Sequence, residues 1–448
     1  MTTHPRELSR PMAGFSPEVF RRRREQVWDV LDGGALLLPA ATSVSPSQGT
    51  ALRYRPDREL FYLTGWIEAG ALALLRDRGA EHPFVFFMPP RDPKKEVWTG
   101  PRLGPEEAWE LLGADAVFPL SEAEERLPNF LKGSRCVFYR LGTQPLSDRL
   151  VGGILREARA GGARKGLGPR SVVDPGEILD ELRLRKDPGE LTRIRAAAAL
   201  TVAGFREAVA QVREGTGEWE IESALEGAFR RGGAGGPAFP TIVGSGPNAC
   251  YLHYRDNHAT LVGGQMVLLD GGAELGLYAG DVTRTFPVNG IFDATQRSLY
   301  EVVLDAHDRA VAGIRPGVTV AEVHRIVRRA LTEGLVATGV LKGGLHGLLE
   351  SKAVDPFFPH QTSHWLGLDV HDVGDYVVAG TSRVLEAGMV LTVEPGLYFG
   401  PDPARSQTPF EEMGVRIEND ILVTEEGSEN LTGSLPVDPD EIEAMLRP

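Results

Sequence analysis

Hydrophobic and polar positions change rhythm along the chain, and the change divides it into two halves. In the first, short apolar runs alternate with charged stretches of helical spacing. Ser16-Pro17 opens a charged helix, residues 34–39, 60–66, 71–75 and 84–88 read as strands, and residues 105–112 and 121–131 as helices. Strands interleaved with helices predict an α/β layer. The pattern changes near Leu182-Arg183-Leu184-Arg185-Lys186. There Asp187, Pro188 and Glu190 supply an N-cap, a first-turn proline and a capping-box acid for a long alanine-rich helix. Further helices, a glycine-rich strand region, two more helices (Thr319 and Glu322 capping the last long one) and a strand-rich end follow. The join falls at 170–186. It predicts a smaller N-terminal α/β domain over 1–180 and a larger domain over 181–448, with an α+β chain overall.

Length agrees, because 448 residues exceed the roughly 250–300 at which one hydrophobic core stops growing. With 42% hydrophobic and 25% charged residues the chain has a globular composition. A net charge of −14 without a basic stripe argues against a nucleic-acid partner. Met1 through Gly14 lacks an apolar signal core, and no run of about 18 apolar residues follows, so neither export nor a membrane is expected. Cys136 and Cys250 form no C-x-x-C pair or disulfide framework. A cytoplasmic protein is the expectation.

The chemistry concentrates in the second half. Residues 265–271 and 277–287 read as two strands joined by a turn around Glu274-Leu275, each carrying one aspartate. If position 270 pairs with 279, Asp281 lies diagonally opposite Asp270 on one face, within about 7–8 Å. Glu394 ends an apolar strand, and Val415-Arg416-Ile417-Glu418 alternates so that Arg416 and Glu418 share a face. Each acid alone has a plainer reading, as a turn residue or a strand-edge charge. Four carboxylates in one cleft would repel one another unless cations make their ionised forms favourable. Two divalent ions cancel four carboxylates, and the His364 imidazole completes a set able to bridge two metals around a shared hydroxide. One nitrogen among many oxygens favours manganese, cobalt or iron over a structural thiolate zinc site.

Five ordered motifs carry a resemblance over nearly the whole chain. They are Leu252-His253-Tyr254, Asp270-Gly271-Gly272 with Asp281-Val282-Thr283-Arg284-Thr285, the run from Ser363 to Asp372, Glu394-Pro395-Gly396-Leu397-Tyr398, and Arg416-Ile417-Glu418-Asn419-Asp420. Together they resemble the pita-bread metallopeptidases, and within them the aminopeptidase P family of Xaa-Pro aminopeptidases. The resemblance implies a C-terminal pita-bread domain that hydrolyses the Xaa-Pro bond at a free N-terminus of peptides with proline second. It implies Asp281 and Glu418 bridging two metals, usually manganese, though Co2+, Fe2+ or Zn2+ also suit the site. Asp270 would sit on one metal, and His364 with Glu394 on the other, Glu394 doubling as acid/base. His253, His360 and His371 match positions that bind the scissile carbonyl and line the proline site, and Tyr398 a position near the metals. Arg416 is placed to orient the carboxylates. Trp98, within Glu96 to Arg102, resembles a stretch that reaches a neighbouring subunit's active site, which implies a homo-oligomer, dimer or tetramer; otherwise it is a buried aromatic of the small domain.

Two lesser patterns are set aside. Gly244-Ser245-Gly246 is followed by Pro247 and completes no nucleotide-binding loop, and His360 and His364 lack the His-Glu pair of a helical zinc site. Two other functions remain open: a prolidase that cleaves Xaa-Pro dipeptides, whose metal motifs are nearly the same, and a noncatalytic peptide-binding pita-bread module.

Overall fold

The apolar runs of the first half assemble into one mixed sheet. The computed structural model describes residues 14–47, 50, 52–165, 168–400 and 408–447, so the N-terminal stretch before Gly14 lies outside the described residues. It divides into two compact units that meet between Leu182 and Arg183. The N-terminal unit orders its strands Ala116–Pro119, Phe84–Met88, Leu72–Leu75, Ala35–Pro39, Val137–Phe138 and Val172–Val173. Leu72–Leu75 and Phe84–Met88 are buried at every position, as expected of strands covered on both faces.

The expected strand at 60–66 is instead the helix Arg58–Thr64. The Asp57 carboxylate accepts the Leu60 N–H at 2.8 Å, and Gly65 closes the helix in the left-handed region at φ 73°. Every residue from Glu59 to Thr64 is buried, so the segment has no polar face from which a period could be read.

The C-terminal unit opens on the helix Pro188–Val209. Its cap forms as the sequence predicts: Asp187 accepts the N–H groups of Gly189 and Glu190, and Glu190 returns to the Asp187 N–H at 3.0 Å. This helix packs on Glu218–Arg231, and Ala294–Gly313 packs on Val320–Ala337. One core joins both helix pairs to the strands, running from Phe205 and Leu225 through Val267 and Leu269 to Val303 and Val327. Three short antiparallel sheets carry the chemistry. One orders Val282–Pro287, Met266–Gly271 and Ile242–Ser245; another orders Val390–Val393, Asn419–Val423 and Ser428–Asn430; Gly396–Tyr398 pairs with Gly414–Arg416.

The register of the aspartate hairpin differs from expectation. Asp270 stands opposite Thr283, not Ala279. The turn lies at Gly276-Leu277, whose φ angles of 59° and 72° fit the tight two-residue turn that matches strand twist. The partner has moved by an even number of residues, which leaves side chains on their original face. Asp281 therefore still lies diagonal to Asp270 on the same side.

Candidate active site and metal centre

The strand ends of the C-terminal unit surround a cavity of about 830 Å³, lined among others by Asp270, Asp281, His364, Glu394, Arg416 and Glu418. Asp281, His364 and Glu418 each offer a ligand atom within 4.8 Å of the others. His364 Nε2 lies 3.4 Å from Asp281 Oδ2 and 3.7 Å from Glu394 Oε1. Asp270 joins through Arg416, whose Nη2 donates to Asp270 Oδ2 at 2.6 Å. Asp270 lies inside a strand, Glu394 directly follows one, and Asp281 and Glu418 directly precede one, so backbone pairing beside each fixes it before any ligand arrives.

The local chemistry fits divalent cations. Asp270 Oδ1 and Asp281 Oδ1 are buried without a hydrogen-bond partner among the described residues, an arrangement that is costly unless a cation faces them. His364 Nδ1 faces the Trp365 carbonyl at 3.0 Å, so it carries the ring proton there and turns Nε2 toward the carboxylates.

Metal-free, the site compensates with protons. Burial and then Asp270 push the Asp281 carboxyl up to about 6. Burial, aided by Asp281 and Asp270 against His364 and Arg416, brings Glu394 to about 7. Burial and the neighbouring acids hold Glu418 well above the carboxylate range. Burial alone would depress His364, but Asp281 and Glu394 raise it to about 9. A proton on Nε2 takes the place a cation would take.

Around this centre runs a directed hydrogen-bond network. Arg416 Nε donates to Thr283 Oγ1 at 3.0 Å, and Thr283 Oγ1 donates to Glu418 Oε2 at 2.6 Å. Arg416 Nη1 donates to the Tyr398 hydroxyl at 3.0 Å. The hydroxyl contacts His360 Nε2 at 2.9 Å, while His360 Nδ1 donates to Gln361 O at 2.8 Å. Since that carbonyl can only accept, Nε2 is the accepting nitrogen and Tyr398 its donor. Burial and then Arg416 lower His360 to about 3, so it stays neutral.

The three additional histidines therefore differ. His360 has both ring nitrogens engaged. His253 and His371 line the cavity and have no protein hydrogen-bond partner among the described residues. The His371 ring packs edge-on to His364, with centroids 4.4 Å apart. Trp98 belongs to the N-terminal unit, on the helix Pro93–Thr99, where it is 87% exposed; the buried-aromatic alternative does not hold.

Sequence reasoning missed three contributors. Thr283 was visible as the same-face neighbour of Asp281, but nothing marked its hydroxyl as the link between Arg416 and Glu418. Asp420 Oδ2 accepts the Asp281 N–H at 3.1 Å, two residues after Glu418 and so open to the same alternation argument. His324 lines the cavity from the helix Val320–Ala337, outside every motif, and gave no signal.

Residues 192–425 match metallopeptidase family M24, and residues 20–139 match the aminopeptidase P N-terminal domain. The chain is 40% identical to the Xaa-Pro aminopeptidase of Escherichia coli over 97% of its own length and 99% of that protein's. Its fold superposes on an aminopeptidase from Pseudomonas aeruginosa with a TM-score of 0.93 at 39% identity, covering 96% of this chain and 98% of the other. It also superposes on zinc-substituted E. coli aminopeptidase P in complex with product, with a TM-score of 0.92 at 40% identity over the same shares. The C-terminal unit is thus a pita-bread domain, and the chain belongs to metallopeptidase family M24, among the Xaa-Pro aminopeptidases.

Proposed function

We propose that this chain removes the N-terminal residue from peptides whose second residue is proline, with two divalent cations held by Asp270, Asp281, His364, Glu394 and Glu418. The observation that carries the reading is a surplus of buried carboxylate, with two orphaned oxygens, in a peptide-sized cavity. The oxygen-rich donor set favours manganese. Bound cations would supply Lewis acidity and a water made acidic near neutral pH.

The chain's own residues do the rest. Glu394, at the end of its strand with His364 Nε2 3.7 Å from its Oε1, takes and returns a proton at its carboxylate oxygens. His253 and His371 donate to the scissile carbonyl oxygen as it gains charge. Arg416 holds Asp270 in place and, through Tyr398, fixes His360 as a wall of the site. Proline's nitrogen carries no hydrogen, so selection falls to shape, for which Phe239, Ile242 and Leu252 offer apolar walls. The exposed Val97 and Trp98 support a homo-oligomer, which sedimentation of the protein would read. No described helix is long and apolar enough to cross a membrane, and a cytoplasmic setting is proposed with the rest.

The test strips the protein with chelator, restores Mn2+, Co2+, Fe2+ or Zn2+ singly, and compares Ala-Pro with Ala-Pro-Ala. Restoration by Mn2+ and faster cleavage of the tripeptide are expected. Cleavage of the dipeptide alone would make it a prolidase. Absence of both turnover and metal uptake would make it a binding module.

A further inference from the structure

Besides the carboxylate centre, the cavity has a second wall. The start of the helix Val320–Ala337 is joined to the hairpin of Val377–Val378 and Thr381–Ser382: Ala321 N–H donates to Ser382 Oγ at 3.0 Å, and Val320 N–H to Arg383 O at 3.0 Å. This wall is the cavity's rim. Val377 is 59% exposed, whereas Glu418 is 2% exposed. Its side chains are mostly apolar, and the Ser382 hydroxyl already accepts Ala321.

His324 is the exception. Its Nδ1 lies 2.8 Å from the Thr362 hydroxyl, and Thr362 O accepts the Glu394 N–H at 2.9 Å, so the ring is braced against the segment that carries the catalytic acid. Nε2 has no protein partner among the described residues. Burial, followed by Arg328, lowers the ring's pKa, which keeps the imidazole neutral and suited to hydrogen bonding. Position supplies the rest. Two ring contacts, His360 to Phe358 at 4.6 Å and Phe358 to His324 at 5.7 Å, separate it from His360, the wall of the carboxylate centre. An extended peptide rises about 3.4 Å per residue, so this bent path is at most about three residues long, and the residue that follows proline lies within its span. A volume of about 830 Å³, toward the upper end of the roughly 300–1,000 Å³ of ligand pockets, leaves room for that length.

We infer that His324 hydrogen-bonds the peptide backbone of the residue following proline, and so makes the site prefer Xaa-Pro-Yaa chains over Xaa-Pro dipeptides. The inference rests on the function proposed above and adds what determines substrate length. A dipeptide ends at proline and offers His324 nothing.

The test compares Ala-Pro, Ala-Pro-Ala and Ala-Pro-Ala amide on the Mn2+-loaded protein and on His324→Ala and His324→Gln. Steady-state kinetics are paired with calorimetric binding of the same peptides to chelated protein. His324→Ala should raise KM for Ala-Pro-Ala about ten-fold, the scale of one neutral hydrogen bond. Its kcat should stay within two-fold, and Ala-Pro should be unaffected. His324→Gln should recover part of the loss. Equal losses on dipeptide and tripeptide, or none on either, overturn the inference. The amide arm separates recognition of a main-chain group, which survives amidation, from recognition of a terminal carboxylate, which does not and would also overturn it. If the wild-type protein turns over no peptide, the proposed function fails, and calorimetry still decides: tripeptide binding that His324→Ala leaves unchanged, or no tripeptide binding, overturns the inference.

Discussion

Two charge clusters share the segment from Ser363 to Asp372, which gives His364 to one and Asp369 and Asp372 to the other, and they resolve their charge in opposite ways. In one, Asp372 receives Arg183 Nη2 at 2.6 Å and Lys186 Nζ at 3.0 Å, and Arg183 also reaches Asp369 at 2.7 Å. Two cations meet two carboxylates. Although burial opposes it, Lys186 and then Arg183 hold the Asp372 carboxyl below its ordinary value. In the other, four carboxylates share Arg416 and His364, and Asp281, Glu394 and Glu418 are all pushed up. A balanced cluster completes the fold by itself. An unbalanced one is stable only with charge from outside, which is what marks it as a site.

The largest expected effect comes from removing one acid of the unbalanced cluster. Glu418→Gln keeps the volume and an acceptor for the Thr283 hydroxyl but removes a ligand. Activity of the Mn2+-loaded protein should fall roughly 10³-fold, as several kcal/mol of charge stabilisation are lost. The metal-free melting temperature should hold or rise, because the wild-type carboxyl is already held protonated. A clear drop in that temperature would erase the contrast.

Removing an acid of the balanced cluster should act on stability first. Asp372→Ala takes from the buried Lys186 its carboxylate and from Arg183 one of its carboxylates, and should cost about 3–5 kcal/mol in a chemical-denaturation midpoint analysis, with or without metal. The two clusters also share a main-chain acceptor. Asp372 N–H donates to Trp365 O at 2.9 Å, the same carbonyl that accepts His364 Nδ1. A variant as stable as wild type would show that the pairing only decorates the fold.

The sequence made one cluster legible and hid the other. Four acids against the single same-face cation Arg416 stood out at Asp270, Asp281, Glu394 and Glu418, because strand alternation allowed them one face and repulsion demanded an explanation. The Arg183 and Lys186 partners lie about 190 positions before Asp372, a distance that no local period spans. Hairpin register was recovered only in parity, since a two-residue turn can slide by even steps without exposing the core. Residues 60–66 failed because burial on all sides erases the difference between helix and strand. His324 failed because a histidine on an amphipathic helix looks the same whether its ring meets solvent or a cavity.

The smallest effect concerns pH, and its sign separates the clusters again. Asp281 and Glu394 titrate at about 6 and about 7 in the folded, metal-free protein, above ordinary carboxylates near 4, and His364 at about 9, above about 6.5. Groups raised in this way bind more protons folded than unfolded. Their contribution is complete below the unfolded values and is lost as pH rises through about 6, 7 and 9. Asp372 has the opposite sign, but its lowered value puts its loss below about pH 4, outside that window. Above about pH 6.5 the neutral buried His360 and His324 have already made their contribution, so the metal-free melting temperature should decline from pH 7 to pH 9. Mn2+ should raise it more at pH 8 than at pH 5, where the ligands still hold the protons a cation must displace. A metal-free melting temperature that climbs across this window would mean that the carboxylates are already neutralised from within, and the two clusters would then be of one kind.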